Sequence, residues 1–151
     1  MLIIKDTQEK DGWDFSTYEN VEISNDSLPA GDYTLAICEM PNFDESVIIE
    51  RKQNCRELLG NLGQNFERFT RELEQLQKFK HKQIVVCGPN NFEYLVSRGY
   101  TKLNLNFIYR QLAFIYTHYG VSTIFFPNKD EAENYVYRLF TRIIKKLESE
   151  N

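Results

Sequence analysis

The sequence has no surplus of positive charge: 18 Lys and Arg stand against 22 Asp and Glu, a formal net charge of −4. That balance argues against a protein that coats phosphate over its whole surface, while leaving room for a local basic groove beside an acidic site. Cysteines are few and scattered. Cys38, Cys55 and Cys87 form no C-x-x-C pair and no Cys/His cluster, and their number is odd, so reduced thiols are expected and zinc is not. No apolar run approaches a membrane span and no signal peptide opens the chain. The expected setting is intracellular, cytoplasmic or nucleoid-associated, with no membrane partner and no secretion. Internal repeats, low-complexity segments and linkers are also missing. His81 sits among lysines with no catalytic partner in the sequence, which makes it a poor general base.

What is present suits one packed domain over residues 1–151, with 42% hydrophobic and 14% aromatic residues. Short apolar or β-branched runs, alternating at Val21-Glu22-Ile23, mark strands at Leu2-Ile3-Ile4, Val21-Glu22-Ile23, Asp32 to Ile37, Val47 to Lys52, Gln83 to Gly88 and Val121 to Phe126. Ser24 to Ala30 reads as a turn. From Gln53 to about Phe79 the period becomes helical: Leu58, Leu62, Phe66, Phe69, Leu73 and Leu76 form one stripe, interrupted early by Gly60 and Gly63. Further helices are expected at Phe92 to Val96, Leu105 to Tyr119 and Asp130 to Leu147. Strands alternating with helices give an α/β class: a mixed central sheet flanked by helices.

The chemistry concentrates between Gly31 and Lys52. Asp32 opens one strand, and Glu50-Arg51-Lys52 closes the other. On a strand Glu50 and Lys52 point to one face and Arg51 to the other. If the strands pair, Asp32 and Glu50 converge on one hard divalent cation with Lys52 beside them. Carboxylates holding a metal, and a lysine opposing developing negative charge, suit phosphodiester cleavage. A surface hairpin with merely solvated charges is the bland alternative. Gly31 is expected to permit a tight bend before Asp32. Glu39, near the strand end, is an outside candidate ligand.

Gly31-Asp32-Tyr33, a gap, then Ile48-Ile49-Glu50-Arg51-Lys52 and an amphipathic helix, resembles the nuclease domain of the XPF-type (XPF/Hef-like) structure-specific endonucleases, of the restriction-endonuclease-like superfamily. The likeness extends to the closing strand, polar turn and helix, and so over nearly the whole chain. It implies a restriction-endonuclease-like core and a DNA endonuclease using Mg²⁺ or Mn²⁺. Asp32, Glu50, Arg51 and Lys52 would be catalytic, with Asp32 and Glu50 on the metal. It also implies branched or junction DNA, such as flaps and forks, and a homodimer paired through helices. The apolar faces of the last two helices, wider than one sheet face needs, point to a dimer as well.

Several positions depart from that pattern. The family's Asp-x-Arg-Glu element appears as Asp6-Thr7-Gln8-Glu9, so Gln8 replaces a guanidinium fork, and Asp6 is as apt to cap or brace as to bind metal. The signature's last acid, six residues after Glu50, falls on Arg56, with Glu57 next. Either the loop carries one extra residue and Glu57 serves, or that role is absent; one helical step rotates a side chain by about 100°, so Glu57 is assigned no metal, only a bracing contact to Arg51 or Lys52. The chain has no room for the tandem helix-hairpin-helix domain common in these enzymes, and a stand-alone domain of this size resembles versions from phages and mobile elements. Arg68, Arg71, Lys80 and Lys82 are candidate DNA contacts or solvated flanks. Trp13, Phe15 and Tyr18 either stack bases or fold onto the core. A catalytically silent nuclease-fold subunit, pairing with an active partner, is the competing function.

Overall fold

The computed structural model describes residues 1–36 and 45–150. Six strands form one mixed sheet: β1 (Leu2–Asp6), β2 (Glu22–Asp26), β3 (Tyr33–Ala36), β4 (Val47–Lys52), β5 (His81–Val86) and β6 (Ser122–Phe125), in the order β2-β1-β3-β4-β5-β6. β3 runs antiparallel to both neighbours, with Tyr33 opposite Ile49 and Thr34 opposite Ile48. β4, β5 and β6 are parallel, Glu50 lying opposite Ile84 and Lys52 opposite Val86. A strand flanked on both sides and covered on both faces has to be apolar throughout, which is why Val47-Ile48-Ile49 lack the usual alternation; all three are fully buried.

The helices are α1 (Cys55–Leu62), α2 (Phe66–Gln75), α3 (Phe92–Ser97), α4 (Leu105–Tyr119) and α5 (Lys129–Ser149), with a 3₁₀ turn at Leu76–Lys78. Each of α1, α3, α4 and α5 begins at an asparagine whose side chain accepts a backbone N–H of the first turn, so the caps fix where the helices start. The predicted 53–79 stripe divides at Gly63, and α1 ends there. On one face of the sheet, α1 to α4 bury Ile48, Ile84 and Val86; on the other, α5 covers Tyr33, Leu35, Val47, Ile49 and Val85 with Val136 and Phe140. Among the described residues, no helix is long and apolar enough to cross a membrane.

β2 runs beyond the expected strand, because Ser24, Asn25 and Asp26 continue to pair with Ile4, Lys5 and Asp6. Their side chains have low strand propensity, so local sequence reads as turn what backbone pairing along β1 makes strand. Trp13 and Phe15 are buried against Tyr33, and Tyr18 stacks on Tyr137 at 3.9 Å, so this aromatic loop packs onto the α5 side.

Candidate active site

Gly31 adopts φ +73°, and a Cβ at that position would overlap Ile48 Cγ1. Only glycine makes this turn at this distance from β4. The turn delivers Asp32 to the place where three strands meet. Its N–H donates to the Ile49 carbonyl at 2.8 Å, and its carbonyl accepts from the Asp6 N–H at 2.8 Å. Its Oδ2 accepts from the Arg51 N–H at 2.7 Å. The side chain thus lies against the charged end of β4.

Glu50 and Lys52 share one face of that strand. Lys52 is only 5% exposed, its Nζ 3.3 Å from Glu50 Oε1 and 5.0 Å from the centre of the Phe69 ring. An ammonium this enclosed keeps its charge directed at its few polar neighbours. Arg51 points to the opposite face. Its Nε and Nη2 each donate at 3.0 Å to the two carboxylate oxygens of Glu9, and its guanidinium lies 5.8 Å from the Trp13 ring centre. Burial opposes the charge on Arg51, but the Glu9 fork outweighs it and holds the group firmly protonated.

Burial, then the charges of Glu50 and Glu9, push the Asp32 carboxyl up to about 8. Burial also raises Glu50, with Lys52 pulling the other way. Two half-buried carboxylates, with the charge of Glu50 raising the cost of charging Asp32, are a pair whose charge a cation would offset. They border a polar cleft of about 410 Å³, whose walls include Glu9, Gln53 and Glu57. As donors they suit a hard divalent ion. Mg²⁺ takes oxygen ligands, commonly one or two carboxylates completed by water and phosphate. Among the described residues no group of three His, Cys, Asp or Glu side chains gathers to hold a metal.

The remaining expected residues fall into separate places. Asp6 accepts the backbone N–H groups of Leu28 and Gln8 at 2.8 and 3.0 Å, tying down the segments on either side of β2. Glu57 accepts the Gln53 N–H at 2.8 Å while its own N–H donates to the side chain of the N-cap Asn54, so its carboxylate ties the start of α1 to the residue before the cap. The bracing contact expected of Glu57 is made by Glu9 instead, because Glu57 is three residues into the helix and its carboxylate turns back to the cap. Arg68 and Arg71 are exposed on α2, 3.8 and 3.9 Å from Glu72 and Glu67. Lys80 is exposed just before β5, and Lys82 Nζ donates to the Phe79 carbonyl; both lie toward the end of the sheet away from the carboxylates. Glu39, the outside candidate, lies outside the described residues. The wall residues Lys10 and Asp11 escaped the sequence reading, since nothing in their spacing marks them.

The ERCC4 domain matches residues 6–139 of this chain. Among solved structures, XPF from Aeropyrum pernix in complex with DNA superposes with a TM-score of 0.67 at 21% identity, over 96% of this chain and 65% of that one. Another structure of XPF from Aeropyrum pernix gives a TM-score of 0.61 at 20% identity, over 85% of this chain and 55% of the other. The chain therefore spans about half to two-thirds of the length of these proteins. No curated protein sequence matches. With its Gly-Asp turn, its Glu-Arg-Lys strand end and the six-stranded sheet between, the chain belongs to the ERCC4 domain family and has the fold of the XPF nuclease domain.

Proposed function

We propose that this chain is a divalent-metal-dependent endodeoxyribonuclease hydrolysing phosphodiester bonds, with branched DNA (flaps and forks) as its substrate class. The observation that carries the reading is the meeting of Asp32 and Glu50, both with carboxyls raised by burial, beside the enclosed Lys52. Asp32 and Glu50 would hold Mg²⁺ or Mn²⁺. Such an ion, when bound, supplies Lewis-acid polarisation of a phosphoryl oxygen and acidifies water. The Lys52 ammonium, held by Glu50, places positive charge where the scissile phosphate gains negative charge. Arg51 acts through its backbone: its N–H fixes Asp32, and the Glu9 fork fixes Arg51. The DNA-bound XPF relative and the ERCC4 family membership support a DNA substrate. An intracellular setting, cytoplasmic or nucleoid-associated, is part of the same proposal.

Cleavage of end-labelled duplex, single-stranded, flap and fork DNA, with Mg²⁺, Mn²⁺ or EDTA, tests the proposal. Metal-dependent cutting that favours the branched forms is the expected result. Intact DNA under every condition would favour the second reading, a silent nuclease-fold subunit, for which the lack of a third ligating side chain among the described residues speaks.

The quaternary proposal is a homodimer, with residues 1–151 acting as one nuclease domain. The α5 stripe of Ala132, Val136, Phe140 and Ile143 is used up inside the chain. α4 differs. Tyr109 and Tyr116, one heptad apart, are 53% and 61% exposed, and the neighbouring edge strand β6 adds Phe125. An apolar stripe beside an unpaired strand is the surface a second copy would cover.

A further inference from the structure

Beyond the cleft, α1 leads to a surface that the catalytic residues do not use. Gln53 and Glu57 line the cleft, while Arg56 and Gly60, on the same exposed side of α1, line an adjoining pocket of about 380 Å³. Its other wall is the segment carrying Tyr100 and Lys102. Here two neighbouring aromatic rings are flanked by a cation on each side. The Arg56 guanidinium lies 5.4 Å from the Tyr100 ring centre, Tyr100 lies 6.3 Å from Tyr94, and Arg98 lies 5.3 Å from Tyr94. Tyr100 is 52% exposed. Among the described residues no carboxylate pairs with Arg56, Arg98 or Lys102, and Glu57 is turned back into its cap. In a chain of net charge −4 this is a local concentration of unpaired cations beside an acidic centre.

Resting on the nuclease reading, we infer that this ladder binds a single-stranded segment of the DNA substrate as it leaves the cleft. The chemistry selects that occupant. Exposed tyrosine rings stack on bases whose own faces are free, and duplex bases already stack on one another. Arginines and Lys102 supply the phosphate attraction that any nucleic acid would feel. Gly60, whose missing Cβ would meet nothing within 4 Å, leaves the floor of the pocket open to a base. A substrate with an unpaired arm gains these contacts, whereas a plain duplex does not.

The test is fluorescence anisotropy of labelled oligothymidylate and of a labelled duplex with the full chain in EDTA. Tyr100→Ala is expected to weaken oligothymidylate binding by about tenfold and to leave duplex binding within about twofold. Tyr100→Phe keeps the ring and retains affinity. Arg56→Ala lowers the slope of log affinity against log salt by about 0.7 for the single strand. Unchanged oligothymidylate binding in Tyr100→Ala, or an equal loss on duplex, overturns the inference. If the unsubstituted chain binds duplex but not oligothymidylate, the inference falls and the nuclease reading stands. Binding to neither overturns both.

Discussion

Asp32 and Arg51 show how much of this site is decided by single groups placed where water is scarce. The Asp32 carboxyl, pushed to about 8 from an ordinary value of 3.8, keeps its proton in the folded state long after the unfolded chain has lost it. Where the native state binds more protons, stability falls as pH rises. The contribution is complete below about pH 4 and is lost as pH climbs through about 8. Asp32→Asn, which cannot ionise, is therefore expected to melt higher than the unsubstituted protein at pH 8 by about 5 °C, with the difference vanishing near pH 4; melts in EDTA at the two pH values check this. Arg51 presents the opposite case. Its charge is enclosed and satisfied by Glu9, so Glu9→Gln strands a buried cation. Chemical denaturation is expected to show a loss of about 3 kcal/mol, together with weaker metal binding because the N–H that holds Asp32 loses its anchor.

At the scale of elements, the carboxylate hairpin and the helices were legible because their signals are local. Three β-branched residues before Glu50-Arg51-Lys52 mark a buried strand with a charged end, and apolar stripes of helical period mark the helices. Gly31 before Asp32 belongs with these, for its φ of +73° is the bend the sequence asked for. Gly31→Ala combines a strained backbone with a clash on Ile48, and about 3 kcal/mol of destabilisation is expected in a denaturant melt. What escaped the sequence depends on distant partners. Asn25 and Asp26 become strand only through β1, and Glu9 finds Arg51 across 42 positions of chain. Glu57 marks the boundary: its spacing from Glu50 sets it one residue off the signature position, yet only the folded helix start reveals a cap. Glu57→Ala is expected to cost about 1 kcal/mol through that cap and to leave Mn²⁺ affinity unchanged by calorimetry. A large loss of metal binding would instead make Glu57 a ligand.

For the whole molecule, α5 closes one face of the sheet inside the chain, while α4 and β6 leave aromatic surface uncovered. Pairing through that edge would bring two carboxylate centres and two Tyr100 ladders into one particle. Two modest DNA surfaces so joined gain in effective concentration without any new contact. Light scattering at micromolar concentration is expected to give twice the 17.9 kDa of one chain, and Tyr116→Glu to return it to the single mass. A monomeric unsubstituted protein, with and without DNA, would remove the dimer.

The account rests on Asp32, Glu50 and Lys52 forming one metal-dependent centre for breaking DNA. The most direct measurement is cleavage of labelled fork DNA in Mn²⁺ by the unsubstituted chain and by Lys52→Ala, with Mn²⁺ affinity measured on the same preparations. The account predicts cutting that EDTA abolishes and a loss of about a hundredfold or more in Lys52→Ala, with the metal still bound. Cleavage by Lys52→Ala at the unsubstituted rate would contradict it.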